Sequence, residues 1–122
     1  MTKTILVVDD SGTVRQQVSM ALKQAGFAIV EAADGQEALA AIEANQIDMV
    51  VCDVNMPNLN GLEMVERVKR KPEHKSLPIL MLTTEGQPSM IKRAKEAGAV
   101  GWIVKPFDAS QLVQTAKHLT RT

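Results

Sequence analysis

The sequence predicts an α/β domain in which a five-stranded parallel sheet is doubly wound, with helices on both faces. Three observations predict it. Five short apolar runs recur at nearly even intervals along the chain. Four of these runs are unbroken and mostly aliphatic, as strands buried on both faces should be. Segments of helical period fill each gap between the runs and follow the last one. Such strand–helix units are joined by right-handed crossovers.

The elements follow in order. Ile5-Leu6-Val7-Val8 is the first run, and Val14, Val18, Leu22 and Ala25 form the stripe after it, with Gly26 where that helix should stop. Ala28-Ile29-Val30 is shorter and leads into Glu31, which suits an edge strand. Ala38, Leu39 and Ile42 carry the next helix, opened by Asp34-x-x-Glu37 and closed near Asn45. Met49-Val50-Val51-Cys52 is followed by Leu62, Val65 and Val68 behind Asn60-x-x-Glu63. Ile79-Leu80-Met81-Leu82 precedes Ile91, Ala94 and Ala97, with Pro88 in the first turn and Gly98 at the stop. Trp102-Ile103-Val104 and then Leu112, Ala116 and Leu119, behind Asp108-x-x-Gln111, complete the pattern. The three D/N-x-x-E/Q signals resemble capping boxes. The pattern uses up residues 1–122, so a single module without an output domain is expected.

Composition narrows the function classes. Fourteen Lys and Arg offset fourteen Asp and Glu, and this zero net charge argues against a partner bound through bulk charge, whether nucleic acid or membrane surface. A hydrophobic content of 45% argues against disorder. No apolar run approaches the ~20 residues of a membrane helix, and residues 1–8 lack the shape of a signal peptide. One Cys and two His exclude an internal disulfide and a Cys/His zinc site. A reduced, soluble, cytoplasmic domain is expected. The zero is nevertheless uneven: residues 1–60 hold three basic and eight acidic side chains, and residues 61–122 hold eleven basic and six acidic.

In a doubly wound sheet, ligands bind beyond the carboxyl ends of the strands, where strand order reverses. The residues there are Asp9 and Asp10 after the first run, Asp53 after the third, Thr83 after the fourth, and Lys105-Pro106 after the fifth. Singly, each has an ordinary reading: Asp10 as a helix cap, Lys-Pro as a turn, Thr83 as a plain strand end. Jointly, they put three carboxylates, a hydroxyl and an ammonium on one edge. At an effective dielectric of about 20, two charges ~4 Å apart repel by about 4 kcal/mol. The set therefore resists ionising together or requires a counter-charge. Oxygen ligands without Cys or His suit a hard cation, Mg²⁺ above all, with Mn²⁺ as the second candidate. A carboxylate beside such an ion can attack phosphorus to give an aspartyl phosphate, with Thr83 and Lys105 holding the phosphoryl oxygens.

Ile5-Leu6-Val7-Val8-Asp9-Asp10, Cys52-Asp53-Val54-Asn55-Met56-Pro57 with Gly61, Leu82-Thr83 and Val104-Lys105-Pro106-Phe107 together resemble the receiver domain of bacterial two-component response regulators. The likeness covers essentially the whole chain. It implies a flavodoxin-like, CheY-like three-layer sandwich with strand order 2-1-3-4-5. It implies Asp53 as the phosphoacceptor, with Asp10 and Asp53 on Mg²⁺ directly, Asn55 through its main-chain carbonyl and Asp9 through water. Lys105 would contact the phosphoryl group, its bond to Pro106 would be cis, Thr83 would move toward the phosphate, and Trp102 would turn inward. Within the family the chain is most similar to stand-alone chemotaxis regulators of the CheY type. Asn55 and Glu85, each two residues beyond a motif residue, match a pair placed near the phosphoryl group, although ordinary loop polarity reads the same. Thr84 is bulkier than the residue many members carry, and Trp102 replaces the commoner Tyr or Phe.

The resemblance implies a monomeric switch rather than an enzyme, promoting only its own phosphorylation and dephosphorylation. The implied partners are a histidine kinase of the chemotaxis type as phosphodonor, the flagellar motor switch as target, and a phosphatase. The output face would be the fourth helix, fifth strand and fifth helix, where Lys92, Arg93 and Lys95 could meet a partner or simply face solvent. Alternatives stay open: a phosphate sink or relay, a receiver cut from a longer regulator, or a phosphohydrolase with an aspartate nucleophile. The last wants Asp-x-Asp where the chain has Asp53-Val54-Asn55. A flavodoxin-like cofactor binder lacks its Ser/Thr-rich phosphate loop. The basic cluster Arg67, Lys69, Arg70, Lys71 and Lys75 reads as a solvated helix end. Met49, Met81 and Met90 read as core filling, Cys52 as inert packing, and His74 and His118 as outside the site.

Overall fold

The computed structural model describes residues 2–122. Five strands, β1 (Thr4–Val8), β2 (Ala28–Ala32), β3 (Met49–Cys52), β4 (Ile79–Thr83) and β5 (Gly101–Val104), pair in parallel in the order β2-β1-β3-β4-β5. The helices between and after them are α1 (Gly12–Gln24), α2 (Gly35–Ala44), α3 (Gly61–Lys69), α4 (Pro88–Ala97) and α5 (Ala109–Thr120), with a 3-10 turn at Pro72–His74. This is the expected architecture and the expected strand order.

Alternation along each strand builds two cores. Ile5, Val7, Met49, Val51, Leu80 and Leu82 pack with Val18 and Leu22 of α1 and Leu112 and Ala116 of α5. Leu6, Val8, Val50, Cys52, Ile79 and Met81 face the other way, onto Ala38 and Ile42 of α2, Leu62, Val65 and Val68 of α3, and Ala94 of α4. With both faces covered, β1, β3 and β4 must be apolar throughout, which is why they read as continuous runs. β2 is an edge, as expected, but it is as long as β1. It runs on through Glu31 and Ala32, and its apolar run looked short because Glu31 can face solvent at an edge. β5 is the other edge and is barely covered: Val104 is 47% exposed, and Ala94 is the buried side chain of α4.

The helix ends follow the sequence with instructive exceptions. Asn60 and Glu63 form the full reciprocal capping box at α3. Asp34 accepts from the Glu37 N–H, but the Glu37 carboxylate returns to the Ala33 N–H instead. Asp108 caps α5 through the Ser110 and Gln111 N–H groups. Asp10 is not the cap of α1; Ser11 is, accepting from the Val14 N–H. Asn45 ends α2, and Gly98, at φ 117°, ends α4 in the left-handed conformation.

The basic cluster at residues 67–75 is more than a solvated helix end. Lys69 turns inward, and its ammonium donates to the carbonyls of His74 at 3.3 Å, Lys75 at 2.9 Å and Leu77 at 2.5 Å. It thereby closes the turn that feeds β4. Burial of that ammonium lowers its pKa. Its stem fills the space beside Gly98, where an added Cβ would come within 2.8 Å of Lys69 Cγ. Lys71 pairs with Glu43 of α2. The sequence carries no sign of the Lys69 role because main-chain carbonyls have no sequence signal, nor of the Lys71 pair because Glu43 lies far away in the chain.

The β3–α3 loop is pinned to α2. Asp34 Oδ2 accepts from the Asn58 amide at 2.8 Å, and the Gly35 N–H donates to the Leu59 carbonyl at 3.1 Å. Hydrogen bonds from the Glu37 N–H and then Asn58 hold the Asp34 carboxyl below its ordinary 3.8. A depressed carboxyl stabilises the fold above its unfolded value and loses that contribution as pH falls through the lower folded one. Asp34→Asn should therefore shrink the difference in urea midpoint between pH 5 and pH 2.5. An undiminished difference would show that Asp34 is not part of the acid response.

Candidate functional site

Strand register brings the acids together. Val8 lies opposite Cys52 in the β1–β3 pair, so Asp9 and Asp53 leave the sheet side by side. Backbone bonds fix them there: the Asp9 N–H donates to the Ala32 carbonyl, and the Asp53 N–H donates to the Val8 carbonyl. Asp9 is 4% exposed and Asp53 8%, whereas Asp10 is open to solvent. Each of the three offers a carboxylate oxygen, and these atoms lie within 4.8 Å of one another.

The counter-charge arrives from the far side of the sheet. Lys105 follows β5, and its Nζ reaches back past β4 and β3 to Asp9 Oδ2 at 2.7 Å and Asp53 Oδ2 at 3.5 Å. Its own N–H donates to the Thr83 carbonyl, and its peptide bond to Pro106 is cis. The remaining oxygens are partly engaged. Asp9 Oδ1 accepts from the Ser11 N–H at 2.9 Å, and Asp53 Oδ1 accepts from the Val54 N–H at 2.7 Å. Asp53 Oδ2 is left with one long contact, to Lys105 Nζ. An all-oxygen cluster of this charge fits a hard divalent cation, and it has no soft ligand that would favour another metal.

Thr83, Glu85, Asn55 and Trp102 form the rim. Thr83 is fully buried, and its hydroxyl accepts from the Glu85 N–H at 3.2 Å. The Asn55 amide donates to Glu85 Oε1 at 3.0 Å, so these two side chains bridge the β3–α3 and β4–α4 loops. The Trp102 indole N–H donates to the Glu85 carbonyl at 2.8 Å, with the ring half-buried against the core. Glu85 is therefore bonded through its N–H, carboxylate and carbonyl to three residues singled out from the sequence. Thr84 is exposed beside Lys105, Pro106 and Phe107 in the wall of a cavity of about 470 Å³.

Two supports were not singled out for this. Gly61 sits against the Asp53 peptide, where an added Cβ would overlap the Asp53 carbonyl oxygen. Arg15 of α1 binds the Asp9 carbonyl. Cys52, fully buried, has its thiol pushed up by burial first and then by the charges of Asp53 and Asp9, which suits its reading as inert packing. His118 is exposed on α5, and His74 lies 3.7 Å from Glu43. Gly61→Ala should lower stability by about 1–3 kcal/mol, read from the urea midpoint, because the overlap is with backbone that cannot rotate away. A midpoint like that of the native chain would mean the contact yields easily.

Comparison with known proteins agrees with the geometry. The model of the response regulator receiver domain family matches residues 5–117. Chemotaxis protein CheY-3 of Vibrio cholerae is 41% identical over 109 residues, covering 88% of this chain and 84% of that protein. The phosphate regulon transcriptional regulatory protein PhoB of Pseudomonas aeruginosa is 36% identical over 119 residues, covering 98% of this chain. The chain spans about half of PhoB, 52% of its length. Among solved structures, CheY4 of Vibrio cholerae superposes with a TM-score of 0.92 at 43% identity, covering 98% of this chain and 99% of that one. A putative response regulator from Chloroflexus aurantiacus gives 0.94 at 38%, with both chains fully covered. Receiver domains are signalling switches that generally bind Mg²⁺ at an acidic pocket. The chain belongs to the response regulator receiver domain family and is CheY-like.

Proposed function

We propose that Asp53 is the phosphoacceptor of a phosphorylation-activated switch. The observation that carries this is the nearly buried Asp53 carboxylate, gathered with those of Asp9 and Asp10 within 4.8 Å and with Lys105 Nζ 3.5 Å from its Oδ2. Oδ2 attacks the phosphorus of a phosphohistidine on a partner histidine kinase, or of a small acyl phosphate. The bond from phosphorus to its leaving nitrogen or oxygen breaks as the bond to Oδ2 forms, and the imidazole retains a proton. Asp9, Asp10, Asp53 and the Asn55 main-chain carbonyl would hold Mg²⁺, which when bound neutralises charge on the transferred oxygens. Lys105 exchanges its contact with Asp53 for the phosphoryl group while keeping Asp9.

Output follows from the rim. As the Thr83 side chain moves toward the phosphoryl group to donate its hydroxyl proton, the bond it accepts from the Glu85 N–H is stretched, and the loop that Glu85 ties to Trp102 is released or re-seated. The lightly buried α4–β5–α5 face is the part of the fold that can respond at least cost, and it changes partner affinity. The likeness to CheY-3 favours the flagellar motor switch as that partner, with the chain acting as a cytoplasmic monomer. Water attack on the acyl phosphate, tuned by Asn55 and Glu85 and open to assistance by a phosphatase, ends the signal. The likeness to PhoB supports a second reading, in which the same pocket serves a receiver within a longer regulator, or a phosphate sink.

Trp102 fluorescence should change on adding beryllofluoride or acetyl phosphate with Mg²⁺. The change should vanish in Asp53→Asn, and mass spectrometry should show the phosphate on residue 53. Equal phosphate uptake by that variant would sink the assignment. Stronger binding of a motor-switch peptide in the beryllofluoride state than without it would identify the effector reading. Equal binding would favour the sink.

A further inference from the structure

Arg15 lies outside every motif that carries the phosphoacceptor reading, yet its guanidinium holds the backbone of the acid cluster. Nη1 donates to the Asp9 carbonyl at 2.7 Å, and Nε donates to Glu31 Oε1 at 3.0 Å. That carbonyl belongs to the peptide joining Asp9 to Asp10. The Asp9 N–H, in turn, is held by the Ala32 carbonyl at 3.1 Å. The Asp9 main chain is therefore anchored twice to β2, directly through Ala32 and through Arg15 by way of Glu31. Asp10 follows this anchored peptide beyond the end of the sheet, so the direction of its side chain depends on that peptide's orientation.

We propose that Arg15 is a positioning residue for the divalent-cation site, orienting the Asp9–Asp10 peptide so that the Asp10 carboxylate converges on those of Asp9 and Asp53. This rests on the reading of the cluster as a Mg²⁺ site. Geometry and charge make opposite demands here, which makes the role testable. A cation bonded to the Asp9 peptide repels a divalent ion nearby, so on charge alone its removal strengthens Mg²⁺ binding. Through positioning, its removal weakens it. Lysine keeps the charge but lacks the planar fork that serves Asp9 and Glu31 together. Glu31 acts one step further out, setting the orientation of the guanidinium.

The test is calorimetric titration of Mg²⁺ into the native chain, R15Q, R15K and E31Q, each also melted without Mg²⁺. R15Q and R15K should both bind about tenfold more weakly, the low end for residues that orient metal ligands. E31Q should lose about threefold, and R15Q/E31Q no more than R15Q, because the two residues form one chain of contacts. Melting temperatures without Mg²⁺ should stay close to native, which a purely structural role would not allow alongside the affinity loss. R15Q binding Mg²⁺ as tightly as the native chain, or more tightly, would overturn the proposal. Should R15Q fail to fold, E31Q decides, and unchanged affinity in that variant overturns it. A native chain that takes up no Mg²⁺ overturns the cation reading and this inference with it. A native chain that binds beside an unaffected R15Q overturns the inference alone.

Discussion

Two nearly buried carboxylates, leaving adjacent strands side by side, set the conditions that the rest of the carboxyl edge must meet. Asp9 and Asp53 are placed by strand order and register, so neither can move away without breaking the β1–β3 pair. Their charge is met by hydrogen-bond donors and by one ammonium. The Ser11 and Val54 N–H groups satisfy one oxygen of each, and Lys105 lies against the other two. Buried like charges are tolerable only with such compensation. Lys105 can supply it because its backbone is hydrogen-bonded to Thr83 at the end of β4. Thus the last strand, distant in sequence, completes the site begun by the first.

Much of this was legible in the sequence, because the physics that marks it is local. A strand covered on both faces must be apolar throughout, and the first polar residue after such a run lies at the sheet's edge. Asp9, Asp53 and Thr83 are found by that rule alone. Their convergence depends on strand order, which periodicity does not encode and which the family resemblance supplied. The need for a counter-charge was also legible, but its bearer was assigned to a metal ion. Lys105 takes part of that work, which depends on a side-chain direction that spacing cannot reveal. The Arg15 contact gave no signal for another reason: it serves a main-chain carbonyl, which any sequence would offer, and Gly61, although part of the resemblance, does not reveal from sequence the main chain it packs against.

The uneven charge along the chain resolves in the same way. Of the early acids, Asp9, Asp10 and Asp53 belong to the pocket, Asp34 caps α2, and Glu31 pairs with Arg15. Among the late bases, Lys69 is spent on three carbonyls and Lys71 on Glu43. Much of each excess is thus tied to specific atoms. That is why neutrality overall coexists with a strongly acidic edge.

The close seating of Gly61 on the Asp53 peptide divides the pocket into unequal walls. On the β1–β3 side, helix α3 begins packed against the Asp53 peptide, with the Gly61 N–H donating to the Val54 carbonyl. On the β4–β5 side, the rim is joined by single hydrogen bonds through Glu85, and the helix beyond buries one alanine. Asp53 is thus bordered by close main-chain packing in one direction and by a few side-chain hydrogen bonds in the other. The fold therefore leaves the β5 side of the site with fewer fixed contacts than the β3 side, before any ligand arrives.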